Sequence, residues 1–320
     1  MLRQGLILLS ESNFARRFAT AAPGARTLAR RFVAGESVED GIGVARTLNE
    51  AGLSVTLDYL GESVSRKEEA RSAADTYIRL IDQIAAAKLD ANVSLKLTQI
   101  GQDIDEAFLR DNAGRVLERA RAADIFVRLD MESSAYTQRT IDFFRQVWEA
   151  GYRNCGIVLQ SYMKRSEADV RTANEMGARV RLCKGAYAEP PEVAFQEKHE
   201  VDGHYIHLMK LLLEDGRYPG LATHDEDMIE ATMTFASDRR ISPASFEFQM
   251  LYGVRRDVQT RLRREGYNVR VYVPFGEAWY PYLMRRMAER PANLFFILRA
   301  VLAESPMKFL VKDRGKTGRE

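Results

Sequence analysis

The chain has 320 residues, 46% of them hydrophobic and 29% charged, and a formal net charge of +2. This is the composition of a soluble globular protein, long enough for one large domain or two ordinary ones. The charge is spread along the sequence, so nothing points to nucleic acid. Two cysteines, Cys155 and Cys183, make no disulfide framework and fit a reducing cytoplasm.

Residues 1–51 read as helical, with Phe14, Phe18, Leu28, Phe32 and Val33 set between arginines. Ser37-Val38-Glu39-Asp40 has the pattern of a helix start. This part is expected to form an N-terminal helical arm on the main domain. The apolar run near Met1 is too short for a secretory signal.

From residue 52 a strand-then-helix pattern recurs eight times. The strands are expected at residues 53–58, 93–97, 125–130, 156–160, 179–184, 220–224, 246–250 and 269–273. Helices are expected from about Ser65 to Lys88, from about Asp105, from about Tyr136, from Ser166, through Lys210, from Asp225 and from Arg255. A last helix, carrying Arg285 and Arg286, closes the series. Alternating strands and helices imply parallel strands joined by helical crossovers. Eight units in about 250 residues favour a closed (βα)8 barrel over an open doubly wound sheet. No glycine fingerprint of the dinucleotide type follows the first strand. The barrel is expected over residues 52–306, followed by a disordered tail at 307–320. Leu294–Leu302, interrupted by Arg299, is too short to span a bilayer, which leaves peripheral contact with the inner face of the cell membrane open.

Barrels of this kind gather their chemistry at the C-terminal ends of the strands. Those ends carry Asp58 and Glu62, Lys96, Asp130 with Glu132, Gln160, Arg181 with Lys184, Thr223-His224-Asp225, Gln249 and Tyr272. Any one of them could be an ordinary strand-end polar residue, but together they form a mixed-charge cup. Tyr282, Arg285, Arg286 and Glu289 share one helix face. Glu289 can orient the two guanidiniums, whose free edges suit a carboxylate or phosphate. A solvated charged face is the commoner fate of such a run, but its place just past a strand end favours an anion site. His199, His204 and His207 lie on one helix that offers no carboxylate partner and no cleft, so no metal is expected. Ser133, Ser134 and Ser161 have no partner histidine at a telling position.

The strand ends SLKLTQIG, RLDMES, GIVLQSY, RLCKGAY, ATHD, FEFQMLYG, VYVPFG and YLMRRMAERP together resemble the proline dehydrogenases, in the short monofunctional bacterial form. The resemblance implies a distorted (βα)8 barrel that uses FAD to oxidise L-proline to Δ1-pyrroline-5-carboxylate, the first step of proline catabolism to glutamate. It also implies electron transfer to a membrane quinone, and makes a separate pyrroline-5-carboxylate dehydrogenase a candidate partner. By motif, Lys96, Arg285 and Arg286 would hold the proline carboxylate, and Asp130 would support Lys96. Tyr187, Leu251, Tyr272 and Tyr282 would wall the ring. Arg181 would lie near flavin N5 and pair with Glu62 as a gate. Met131, Gln160, Lys184, Gly185, Ala186, Thr223 and His224 would hold the flavin. Ala188 stands where some relatives have a bulky aromatic, so the adenine end of FAD has a different wall here. Two other readings compete: a flavin barrel of the methylenetetrahydrofolate reductase kind, and a non-catalytic sensor. The double arginine argues against the first, and the joint presence of Arg181, Lys184 and His224 against the second. The sequence assigns no group to deprotonate the substrate amine.

Overall fold

The computed structural model describes residues 29–289. Most of the expected arm and the whole of 290–320, including the expected tail, lie outside the described residues. Eight strands alternate with helices: β1 Ser54–Tyr59, β2 Ala91–Leu95, β3 Val127–Leu129, β4 Cys155–Gln160, β5 Arg179–Cys183, β6 Gly220–Ala222, β7 Glu247–Leu251 and β8 Asn268–Phe275. The helices are α1 Val38–Glu50, α2 Lys67–Ala86, α3 Glu106–Ala122, α4 Ser134–Glu149, α5 Ser166–Glu175, α6 Lys198–Asp215, α7 Glu226–Asp238, α8 Arg256–Arg264 and α9 Trp279–Glu289. The strands are parallel and close in sequence order, β8 pairing back onto β1 from Ser54↔Arg270 to Tyr59↔Phe275.

Helix starts follow local chemistry. Ser37 caps α1 in a reciprocal box with Asp40, Asp105 caps α3 through its bond from the Phe108 amide, and Asp225 caps α7 through Asp227. Each such cap satisfies a backbone donor that the helix cannot. The expected helix through Lys210 is separated from the fifth strand by a long loop. Residues 184–197 form a loop containing Pro190 and Pro191, and α6 begins only at Lys198. Adjacent prolines remove two backbone donors and hold the chain out of helix.

The two faces of each strand do different work. Outward residues such as Val55, Leu57, Val93, Leu95, Val127, Leu129, Val180, Leu182, Phe248, Val269 and Val271 are buried against the helices in one continuous core. Inward residues are largely polar: Thr56, Asp58, Ser94, Arg128, Asp130, Gln160, Arg181, Glu247 and Gln249 are all buried. Small barrels are usually filled by layers of branched apolar side chains; this one is filled by charge and amide. Two inward glycines make room for that filling. A Cβ at Gly156 would meet Arg128 Nη1 at 2.8 Å and the Arg179 carbonyl at 2.3 Å, and one at Gly220 would meet Gln249 Nε2 at 2.3 Å.

The series ends as expected, with α9 following β8. Gly41 of α1 lies so near Leu57 and Phe275 that a Cβ there would stand 3.2–3.3 Å from both side chains, which puts α1 across the β8–β1 seam. The turn before α1 is tied to the end of β8 by Ala34 N–H to Pro274 O and Gly276 N–H to Gly35 O, both 2.9 Å. With that berth taken, α9 buries Trp279, Tyr280, Tyr282, Leu283 and Met284 in a separate cluster with Ala29, Val33 and Leu60.

Candidate active site

The cup is built from Arg181 outward. Inward-pointing on β5 and only 6% exposed, its guanidinium reaches across the barrel. Nη1 donates to Asp130 Oδ1 at 2.8 Å and to Ser94 Oγ at 3.1 Å, and Nε donates to Gln249 Oε1 at 2.5 Å. Arg181 Nη2 is buried with no acceptor among the described residues. Among the described residues the carboxylate that bonds Arg181 is that of Asp130. Asp130 is the first residue past β3 and faces the same interior as Arg181. It also accepts from Ser94 Oγ at 2.6 Å and from the Tyr272 hydroxyl at 2.9 Å. The Tyr272 ring lies against the Arg181 guanidinium, 5.2 Å from centroid to Cζ.

Lys96 follows β2 at the mouth of the cup. Among the described residues its ion-pair partner is Asp58 Oδ2 at 3.8 Å. Burial opposes the Lys96 charge, but Asp58 and then Asp130 outweigh it, so the ammonium is held more firmly than in water. Asp58, 1% exposed, is pushed upward by burial against the pull of Lys96. Glu132, one residue past Met131, accepts from Thr98 Oγ1 at 2.7 Å, and burial pushes its carboxyl up to about 7. Glu62 acts electrostatically on both Lys96 and Glu132, which puts it on the same side of the cup. The side chains of Arg285, Arg286 and Glu289 lie outside the described residues; the backbone of α9 carries them past the end of β8.

The opposite side of the mouth is polar and pre-formed. Gln160, 4% exposed, donates Nε2 to the Glu132 carbonyl at 3.3 Å, while its Oε1 is buried with no hydrogen-bond partner among the described residues. Lys184 bridges Asp202 and Asp225 at 2.5 and 2.7 Å. Thr223 Oγ1 accepts the Asp225 amide, and His224 Nε2 accepts the Leu251 N–H at 2.9 Å. That bond needs a lone pair on Nε2, so the tautomer of His224 assigned by this network carries its proton on Nδ1. Gly185 adopts φ +107°, and a Cβ there would meet the Tyr162 ring at 2.3 Å, so the loop backbone passes directly over Tyr162. Ala186 and Tyr187 continue that loop, half-buried at the mouth.

The histidines of α6 are used otherwise. His204 Nδ1 bonds the Ser161 carbonyl, and His207 Nε2 meets Glu167 at 3.1 Å, a carboxylate neighbour the sequence does not suggest. Among the described residues no group of three His, Cys, Asp or Glu side chains comes together as a metal site would need.

Three partners are not singled out by the strand-end pattern: the buried Ser94 and Glu247, and the largely buried Arg270. Each lies two residues before a strand-end polar residue (Lys96, Gln249 and Tyr272), and a strand's period of two puts both on one face. The inward polar run was the available signal.

A closed (βα)8 barrel with a buried mixed-charge cup at its strand ends defines a barrel enzyme for a small charged substrate. The proline dehydrogenase family model matches residues 42–299, nearly the whole barrel. The chain belongs to the proline dehydrogenase family. It is 41% identical over 302 residues to proline dehydrogenase 1 of Bacillus subtilis subsp. natto, covering 94% of this chain and 99% of that one. It is also 41% identical over 279 residues to the proline dehydrogenase of Deinococcus radiodurans, covering 86% and 90%. Among solved structures it is similar to proline utilization A from Bdellovibrio bacteriovorus inactivated by N-propargylglycine, with a TM-score of 0.80 and 27% identity. That match covers 96% of this chain and 37% of the longer protein.

Proposed function

We propose that this chain oxidises L-proline to Δ1-pyrroline-5-carboxylate with FAD as its cofactor, as the first step of proline catabolism to glutamate. The observation that carries the reading is the family match across the barrel, whose strand ends hold the polar cup. FAD fits the residues present. Gln160 Oε1 and Arg181 Nη2 are buried polar atoms that call for partners, and Gly185 gives the backbone a close approach that a side chain would deny. When bound, FAD supplies the acceptor for the hydride that leaves the ring carbon next to nitrogen.

The rest is the work of side chains. Lys96, Arg285 and Arg286 bind the proline carboxylate and so set the angle of the ring. Tyr187, Leu251, Tyr272 and Tyr282 wall it. Asp130 holds Arg181 and Tyr272 in fixed positions, and Arg181 presents its remaining N–H groups to the flavin. Met131, Gln160, Lys184, Gly185, Ala186, Thr223 and His224 hold the cofactor, and Glu62 closes the mouth and excludes water. Electrons then pass to a membrane quinone, and the product passes to a separate pyrroline-5-carboxylate dehydrogenase. No described helix is long and apolar enough to cross a membrane, so contact with the quinone pool is peripheral in this reading, from the cytoplasmic side.

The test is an absorption spectrum under anaerobic conditions. The purified protein should show a flavin band that bleaches on adding L-proline and returns on adding a soluble quinone. A protein without flavin, or with a flavin band that proline leaves unchanged, refutes the proposal.

A further inference from the structure

Below Arg181 the barrel holds a line of polar side chains that the proposed chemistry does not use. Glu247 on β7, 3% exposed, accepts Arg270 Nε on both oxygens, at 2.9 and 3.0 Å. Arg270 Nη1 in turn donates to the Val55 carbonyl at 2.8 Å, which ties the pair to β1. A buried ion pair is a poor way to fill a barrel, because desolvation cancels much of its attraction. Its geometry shows another use.

Glu247 Oε1 also accepts from Gln249 Nε2 at 2.6 Å. The pull of Arg270 holds the Glu247 carboxyl low despite burial, so it is ionised and can only accept. Gln249 must therefore turn its NH2 toward Glu247 and its carbonyl toward Arg181 Nε, where it sits at 2.5 Å. With Nε held by Gln249 and Nη1 held by Asp130 and Ser94, the guanidinium can neither roll nor tilt. Among the described residues Nη2 has no acceptor, which leaves it to donate elsewhere.

We infer that Gln249, oriented by Glu247, is a positioning residue that fixes the direction in which Arg181 presents its free Nη2 edge to the bound flavin. Gly220 supports the assignment from a different strand. Its missing side chain leaves the space occupied by the Gln249 amide, 2.3 Å from where a Cβ would be. The inference rests on the proposal that Arg181 faces the flavin. In a water-poor site a fixed donor stabilises the reduced, more negative flavin and raises its reduction potential; a donor free to swing does so less.

Two variants reach Gln249 independently. Gln249→Met removes the carbonyl and keeps the bulk, while Gly220→Ala leaves the amide in the chain and pushes it off its site. Each FAD-loaded variant is compared with wild type and with Arg181→Met for flavin midpoint potential, anaerobic bleaching rate and proline Kd. Both Gln249→Met and Gly220→Ala should lower the potential and slow bleaching roughly 10-fold, as for the loss of one buried hydrogen bond, with proline Kd within about 2-fold of wild type. Arg181→Met should shift the potential further the same way. If Arg181→Met shifts the potential and neither other variant does, the inference is wrong. If Arg181→Met leaves the potential unchanged, the reading of Arg181 itself is wrong. Loss of FAD from both Gln249→Met and Gly220→Ala would also overturn it, by making Gln249 a part of the binding scaffold.

Discussion

The Tyr272 hydroxyl donates to Asp130 Oδ2 at 2.9 Å, so the phenol that walls the cup is also a clamp on the acid that holds Arg181. The two roles can be separated. Tyr272→Phe keeps the ring and removes the clamp; it should lower kcat/KM for proline roughly 3- to 30-fold without admitting new substrates. Tyr272→Ser removes the ring as well and should raise the ratio of 4-hydroxyproline to proline turnover. An unchanged ratio in Tyr272→Ser would remove Tyr272 from the ring wall.

Glu132 should make stability depend on pH near neutrality. Burial, working against Thr98 and Lys96 and assisted by Glu62 and Asp130, raises its pKa from 4.5 to about 7. A group with a raised folded-state pKa contributes stability that is complete below about pH 4.5 and is lost as pH rises through about 7. Over that window the loss reaches about 3 kcal/mol. Glu132→Gln keeps an acceptor for Thr98 but carries no charge. Its urea midpoint should match wild type at pH 4.5 and exceed it at pH 8. Equal midpoints at both pH values would mean that Glu132 titrates as an ordinary carboxylate.

The backbone at Gly185 should tolerate no side chain. Its φ of +107° disfavours L-residues, and Tyr162 occupies the space a Cβ would need. Gly185→Ala should cost about 1–3 kcal/mol of local strain. That cost falls on the loop proposed to hold FAD, so the variant should purify with less flavin and bind added FAD more weakly. Flavin content equal to wild type would place the cofactor elsewhere.

Arg285 and Arg286 are tested with paired substrates. Removing one partner of a buried charge pair costs about 2–5 kcal/mol, or roughly 30- to several-thousand-fold. Arg285→Met and Arg286→Met should lose that much activity on proline while turning over prolinamide, which has no carboxylate charge, nearly as wild type does. Glu289→Ala should have a smaller effect. An equal loss on both substrates would show that the arginines serve the fold or the cofactor.

The barrel was legible because each strand carries an apolar outward face and ends in polar residues, a pattern that needs no knowledge of neighbours. Arg181, Asp130, Lys96 and Tyr272 could be picked out for the same reason. Their partners could not. The Arg181–Asp130 bond and the approach of Asp58 to Lys96 are pairings that no local motif announces, while Asp130 supports the Lys96 charge from further off. Which side chains meet across a barrel depends on the stagger between strands, and local sequence does not encode that stagger. The position of α1 was hidden for a related reason. Its amphipathic face is plain, but several seams could have received it, and the choice is made by contacts with β8 far along the chain.

That choice shapes how the molecule is assembled. Trp279 Nε1 bonds Glu36 Oε1 across 243 residues of sequence, and β1 finds its second neighbour only when β8 has been made. During synthesis the open edge of β1 is a surface on which a nascent chain could pair wrongly. Helix α1 is made before β1 but packs on β1 and β8 alike. The berth of the first helix is therefore completed by the last strand, and the two ends of the barrel sequence depend on each other for their place in the fold.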